Sequence, residues 1–310
     1  MKVLITAPWF TSSCLNDLKK NFDVTQNDKK TWFSEAELIR LIPEYDAVIA
    51  GLDPFTSAVI EEAKHLKIIA RRGIGYNNID LEACKRKGIV VTNTPVPEEH
   101  LAVAEFTVGM IFNVLRNITL SHNSLQSGSW ERRAFLGKDL YTSHVGILGL
   151  GKIGREVARM LTAMGIRVSY YDPYVNDDRY RKVDADTLFR ECDVISVHLP
   201  LTPETRGFVN AKRLSLMKKG SYIVNTSRGE VLVESDVVSY IDNGTLRGVA
   251  TDVFSQEPPK NSLLFSRRAV ITTPHIGAYS ENSFLKIDCA CVEAVYNVLI
   301  ERKEPKFRIV

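Results

Sequence analysis

VGILGLGKIGREVARMLTAMGIRVSYYD, residues 145–172, decides how this chain is read. An apolar run ends in a glycine-rich turn, an amphipathic stretch follows, and a second apolar run closes on an acid. That order is strand, turn, helix and strand, the βαβ unit that holds a dinucleotide. Gly149, Gly151 and Gly154 stand in G-x-G-x-x-G spacing. The first permits the tight turn, the second lets a pyrophosphate approach the backbone, and the third lets the helix pack close to the sheet. The phosphates then meet free N–H groups at the helix N-terminus, where the dipole favours an anion. Asp172 falls where an acid accepts hydrogen bonds from the ribose hydroxyls and repels a 2′-phosphate, so NAD rather than NADP is the expected cofactor.

With 310 residues the chain is too long for one ordinary core, and two domains are expected. Forty basic and thirty-seven acidic side chains leave a formal charge of +3, too balanced to argue for nucleic acid or an anionic membrane. Five cysteines, Cys14, Cys84, Cys192, Cys289 and Cys291, are scattered without a C-x-x-C pair. They read as small buried hydrophobes in a reduced compartment, with neither metal nor disulfide use. The N-terminus has the pattern of a short strand rather than a signal peptide, and no apolar run reaches membrane-spanning length. A cytoplasmic protein without membrane or nucleic-acid partners is the expectation.

From Met1 to Pro97, β-rich runs at 2–6, around 24, 47–50, 68–70 and 90–93 alternate with helical patterns at 12–21, 34–41, 56–65 and 80–87. Ser34 and Asp80 are placed as N-caps. Such alternation implies a parallel sheet with helices on both faces. Gly73 and Gly75 in RRGIGYNNID close one strand, where backbone N–H groups can face a ligand; a plain strand–helix connection is the equal alternative. Beyond Pro95 and Pro97 a long apolar-striped helix is expected through HLAVAEFTVGMIFNVLRNITLSHNSL. GSWERRAFLGKDL (128–140) then reads as a loop or subunit contact. After the dinucleotide unit, strands at 194–198, 222–225, 248–253 and 270–272 end in HLPLTPET, NTSRGE, DVFSQEP and TPHIGAY, delivering polar residues at the edge where such sheets bind ligands. A helix over 280–302 and a polar tail finish the chain.

Arg228, Glu257 and His275 lie far apart in sequence but at equivalent strand ends. An arginine fork can hold a carboxylate and polarise the adjacent carbonyl. A histidine can exchange the proton of a hydroxyl while a hydride moves to or from nicotinamide. A carboxylate hydrogen-bonded to that ring favours its charged form and fixes its tautomer. Each residue alone could be an ordinary strand-end charge, loop acid or cap. Together, behind a dinucleotide turn, they form the set that this chemistry needs.

In GLGKIG, HLPLTPET, NTSRGE, DVFSQEP and TPHIGA, taken in this order, the chain resembles the D-2-hydroxyacid dehydrogenase family over essentially its full length. The resemblance implies two doubly wound parallel-sheet α/β domains: a flavodoxin-like substrate domain split in sequence (1–97 and 285–310) and a Rossmann NAD-binding domain (98–284). It implies that Arg228 binds substrate, His275 is the acid/base and Glu257 assists it, with Ile74 and Gly75 offering backbone donors to a small anionic 2-hydroxy or 2-keto acid. Gly149, Gly151, Lys152, Ile153, Gly154, Asp172, Leu199, Pro200, Thr205, Thr226, Ser227 and Asp252 are then expected to line NAD, Asp252 meeting the nicotinamide amide. No metal is implied, and a homodimer through the long helix and the WERRAF loop is the family expectation. IIARRGIGYNNIDLEACKRKGIVVTNTP, SGSWERRAFLGKDL and DVFSQEPPKNSLLF are most similar to the phosphoglycerate dehydrogenase branch, which gives Arg71 a substrate phosphate to meet. With the chain ending at Val310, a short form without a regulatory domain is expected. Glyoxylate or hydroxypyruvate reductase, or another 2-keto acid reductase, is the alternative within the family. An NAD-sensing corepressor on the same scaffold would want long partner-binding tails.

Overall fold

The computed structural model describes residues 1–310 except Thr11, Ser12 and Lys30, and except the side chain of Ser266. The helix start expected at Ser12 therefore lies outside the described residues. Two compact units make up the chain: Met1–Glu99 with Tyr279–Val310, and His100–Ala278.

In the first unit β1 (Lys2–Ile5), α1 (Cys14–Asn21), β2 (Asp23–Gln26), α2 (Glu35–Leu41), β3 (Ala47–Ala50), α3 (Ser57–Glu62), β4 (Ile68–Arg71), α4 (Leu81–Lys87) and β5 (Val90–Thr92) alternate along the chain. The strands pair in parallel in the order β2-β1-β3-β4-β5, which is the flavodoxin-like winding. Successive side chains leave a strand on opposite faces, so Val3 and Ile5 enter one apolar cluster and Leu4 the other. Two of the helix starts are fixed locally. Ser34 and Glu37 form a reciprocal capping box on α2, and Asp80 accepts the Ala83 N–H while Gly88 ends α4 at φ 67°.

The second unit begins within α5 (Pro97–Arg116), which α6 (Ile118–Gln126) follows. The single long helix expected here is broken. Asn117 takes a left-handed φ of 56°, and the two helices bend by 63°. Asparagine tolerates that conformation, and the amide of Asn113 takes over the freed groups by accepting the Thr119 N–H at 2.9 Å. A 3-10 turn, Arg132–Phe135, lies within the stretch read as a loop. Then come β6 (His144–Leu148), α7 (Lys152–Ala163), β7 (Arg167–Tyr171), β8 (Arg181–Lys182), α8 (Ala185–Glu191), β9 (Val194–Val197), α9 (Ala211–Leu214), β10 (Ser221–Asn225), α10 (Glu234–Asp242), β11 (Leu246–Thr251) and β12 (Val270–Thr272). Their seven-stranded sheet runs β12-β11-β10-β9-β6-β7-β8, every pairing parallel. The winding reverses between β6 and β9, and the crevice opened there is where such sheets take their ligands. Val145 and Ile147 face one core and Leu148 the other, so the central strand is covered on both sides.

The chain returns to the first unit as α11 (Glu281–Tyr296), capped by Ser280 and closed by a π turn, Asn297–Glu301, where the sequence suggested one helix to Arg302. The expected polar tail is instead an added edge. Ile309 donates to the Val91 carbonyl and Val91 to the Val310 carbonyl, and Ile309 and Val310 pack on the core beneath β5. The expectation of no disulfide is also corrected, because Cys14 on α1 is bonded to Cys289 on α11 across a Cα separation of 5.4 Å. Helix packing alone brings these residues together, and no spacing in the sequence announces it. Beside them Arg72 Nε donates to Asp288 Oδ1 at 2.5 Å, the two side chains only 8% and 2% exposed, and the guanidinium stacks 4.2 Å from the Phe284 ring centre. Among the described residues no single helix is long and apolar enough to cross a membrane.

Burial sets the worth of that ion pair. Asp288→Ala leaves the Arg72 charge in the interior without its carboxylate and is expected to cost about 3–5 kcal/mol. Asp17→Ala, at an exposed pair with Lys20, should leave the stability nearly unchanged. Urea unfolding of the two variants checks this, and equal losses would contradict the burial argument.

Candidate active site

The glycine turn follows β6 at the reversal of the winding. Gly149 takes a φ of 97°, which only glycine adopts readily, and donates to the Tyr171 carbonyl at 2.8 Å. A Cβ on Gly154 would run into the Gly149 carbonyl, so α7 lies as close to the turn as backbone allows. A Cβ on Gly151 would meet nothing within 4 Å, and this residue is the N-cap of α7 without a side-chain cap. The first N–H groups of a twelve-residue helix thus stand beside open space, the cradle that a pyrophosphate needs. Lys152 is exposed at the head of α7, and Ile153 packs against the core. Asp172 ties the two sides of the crevice together. Its Oδ2 accepts the Leu150 N–H at 2.9 Å, and its Oδ1 accepts from Tyr174 and Val175. Leu199 is buried against the turn, Pro200 is exposed, and Thr205 closes its own loop by donating to the Pro200 carbonyl at 2.6 Å.

Arg228, Glu257 and His275 follow β10, β11 and β12, three neighbouring strands that end on the same edge. The Nδ1 of His275 meets Glu257 Oε2 at 2.6 Å, and both side chains are about one-third exposed, at 35% and 27%. Glu257 Oε1 accepts the Phe254 N–H at 3.0 Å. Burial pushes the Glu257 carboxyl up, but the hydrogen bond and charge of His275, the Phe254 N–H and the Arg228 charge outweigh it. The net position is below the ordinary glutamate value. The carboxylate is therefore ionised at neutral pH, and with Nδ1 bound to it, Nε2 is the ring nitrogen left for chemistry. Arg228 is half-buried and donates to the Ser227 carbonyl at 2.6 Å.

Buried polar residues support these groups from beneath. Asn225 receives the Ser227 N–H and hydroxyl and donates to the Arg228 carbonyl, so one amide shapes the turn that carries the arginine. Asp252 does the same for the histidine. Its carboxylate accepts from the Thr273 hydroxyl at 2.6 Å and from the Ile276 and Gly277 N–H groups at 2.9 and 2.8 Å, while its own carbonyl accepts the His275 N–H. His275 is held by these bonds at φ 55°, a conformation costly for a residue with a Cβ. Burial raises the Asp252 carboxyl above its ordinary value despite the donors around it. Thr226 bonds to the Thr107 hydroxyl at 2.7 Å. For Asn225 the only earlier signal was a polar residue at a strand end, while Asp252 was expected at the nicotinamide and its bracing role was not.

Within the first unit, the Gly73–Gly75 turn is held through its carbonyls. Thr94 N–H donates to Gly73 and the Asn93 amide to Ile74, while the Gly73 N–H donates to the Thr94 hydroxyl. Among the described residues the Ile74 and Gly75 N–H groups take no protein acceptor. Arg71 is folded under this turn at 6% exposure, its Nη1 donating to the Arg72 carbonyl.

A glycine turn where the winding reverses, with a carboxylate-bound histidine and an arginine on neighbouring strand tips, is the arrangement of a dinucleotide-binding α/β unit. Residues 108–277 match the model of the D-isomer specific 2-hydroxyacid dehydrogenase NAD-binding domain. The chain belongs to the D-isomer specific 2-hydroxyacid dehydrogenase family, and its second unit is the NAD-binding domain. It is 40% identical over 283 residues to a D-3-phosphoglycerate dehydrogenase of Synechocystis sp., covering 89% of this chain and 51% of the relative, so it spans about half that relative's length. It is 39% identical over 269 residues to a hydroxypyruvate reductase of Thermotoga maritima, covering 85% of this chain and 88% of that one. Among solved structures it is similar to D-lactate dehydrogenase from Aquifex aeolicus complexed with NAD and lactic acid, with a TM-score of 0.84 and 27% identity over 100% of this chain and 99% of the other.

The Asp252 clamp is open to measurement. Asp252→Ala strips an acceptor from three donors and is expected to cost about 3 kcal/mol or more, at roughly 1–3 kcal/mol for each buried group left unmet. Thr107→Val should cost about 1 kcal/mol. Thermal unfolding should rank them in that order, and a neutral Asp252→Ala would mean that the turn holds itself.

Proposed function

We propose that this chain is an NAD-dependent oxidoreductase that interconverts a D-2-hydroxy acid and its 2-keto acid. The observation that carries the reading is the Glu257–His275 pair, 2.6 Å apart on strand tips beside Arg228, in the unit that bears the glycine turn. Bound NADH supplies the hydride when the keto acid is reduced. His275 Nε2 gives the proton to the carbonyl oxygen and takes it back in the reverse direction. Glu257 holds Nδ1 and stabilises the charged ring, and Arg228 polarises the carbonyl and balances the charge that develops on its oxygen. Asp172 receives the adenosine ribose, Gly149, Gly151, Lys152, Ile153 and Gly154 the pyrophosphate, and Leu199, Pro200, Thr205, Thr226, Ser227 and Asp252 the rest of the nucleotide. Ile74 and Gly75 remain the proposed donors to a substrate carboxylate.

The relatives support D-3-phosphoglycerate as the hydroxy acid. Hydroxypyruvate or glyoxylate reduction is the second reading, and the 6% exposure of Arg71 favours it, because a guanidinium tucked under its own turn is poorly placed to reach a phosphate. A homodimer belongs to the proposal. α6 buries no residue of its own, and Trp130, Leu136 and Tyr141 are each more than 70% exposed, an apolar surface of the kind that subunits cover. The proposed compartment is the cytoplasm, with Cys84, Cys192 and Cys291 as buried free thiols alongside the one Cys14–Cys289 bond.

NADH oxidation against 3-phosphohydroxypyruvate, hydroxypyruvate, glyoxylate and pyruvate tests the substrate. The phosphorylated acid is expected to give the highest kcat/KM, and Arg71→Ala should then raise its KM far more than that of glyoxylate. A preference for hydroxypyruvate with an indifferent Arg71→Ala selects the second reading, and no turnover of any keto acid rejects both. For the mechanism, His275→Ala should lower kcat by at least about a hundredfold with NADH binding nearly intact. Glu257→Gln loses the carboxylate that orients Nδ1 and should lower kcat by about tenfold or more with NADH binding nearly intact; an unchanged kcat would take Glu257 out of the role.

A further inference from the structure

The second unit gathers charge at the end of its sheet opposite the glycine turn, and the reaction uses none of it. His144 opens β6, Arg167 opens β7 and Arg181 opens β8, Arg190 and Glu191 close α8, and Lys218 precedes β10. These six residues line a cavity of about 400 Å³. That volume lies within the roughly 300–1,000 Å³ usual for small-molecule sites. Four cations face one carboxylate there. Arg181 is already paired with Glu191, and Lys218 reaches Asp193 at 3.3 Å, a carboxylate it shares with Lys138. Arg167 and Arg190 form no ion pair among the described residues, although both line the same cavity.

One of the lining residues is a buried imidazole. His144 is 5% exposed, and its Nε2 bonds to the Ser169 hydroxyl at 2.9 Å. Burial first, and then the charge of Arg167, hold it below the ordinary histidine value against the opposing pull of Glu191. Cations converging on one hollow repel one another unless an anion sits among them. Planar guanidinium forks match the oxygens of phosphate in pairs. We propose that the cavity lined by His144, Arg167, Arg181, Arg190 and Lys218 binds a small phosphate-bearing anion. The five residues of β6, at about 3.3 Å each, separate it from the dinucleotide turn, so both ligands bind at once.

The test uses the full chain with saturating NADH, so that the glycine turn is filled. Inorganic phosphate, pyrophosphate and glycerol phosphate are titrated at constant ionic strength and followed by thermal shift and calorimetry. Pyrophosphate is expected to stabilise the protein saturably, more tightly at low salt. A response to glycerol phosphate equal to that of inorganic phosphate makes a phosphate ester an equal candidate; a response to the inorganic ions alone restricts the ligand to them. The double variant Arg167→Gln/Arg190→Gln should bind pyrophosphate at least about tenfold more weakly while keeping its ligand-free melting point, since two charge-assisted contacts are lost. Arg86→Gln, at an exposed pair in the first unit, should behave as wild type. The absence of saturable stabilisation, an undiminished response in the double variant, or a response abolished by Arg71→Gln instead would each overturn the proposal.

Discussion

Parallel pairing is the constraint on which the second unit depends. Because β6, β9, β10, β11 and β12 run in one direction, the residues following each of them must emerge on one edge. A glycine turn, an arginine, a glutamate and a histidine spread over more than a hundred residues therefore share an edge without any local signal that they should. The backbone brings these side chains together, and the side chains below them only adjust the aim. Asn225 and Asp252 do that adjusting. Each is buried at the end of its strand and satisfies several backbone groups of a strand-end turn at once.

The glycine turn and the strand-tip residues were legible in the sequence because each answers to a rule of short range. Gly149 needs a positive φ, Gly154 needs close approach, and short apolar runs bounded by turn residues favour strands. What escaped notice depends on long-range packing. Asn117 interrupts an apolar stripe that continues on either side of it, so periodicity cannot see the bend. Cys14 and Cys289 are 275 positions apart and meet only because α1 and α11 share a face of the sheet. The last residues read as a tail until their two apolar side chains find the edge of β5. Asp252, expected at the nicotinamide amide, also braces the histidine turn through three donors, a second role that no local pattern shows.

In the first unit the glycine turn is fastened from both sides. Its carbonyls are held by Thr94 and Asn93, and Arg72 just before it is locked between Asp288 and the rings of Phe10 and Phe284. A pair of backbone donors is useful to an anion only if their separation is fixed beforehand, since ordering them on arrival would consume much of the binding energy. The buried ion pair supplies that rigidity, and it also anchors the helix by which the chain re-enters this unit.

The interior sulfurs have a practical consequence. Burial pushes the thiols of Cys84 and Cys192 up to about 12, and Cys291 is raised as well. Only the thiolate attacks an electrophile, so these three are silent toward alkylating reagents at neutral pH for as long as the chain stays folded. Any carbamidomethyl mass gained by the native protein must then have been taken up at Cys14 or Cys289, which makes a simple mass spectrum a gauge of whether α1 and α11 are covalently joined.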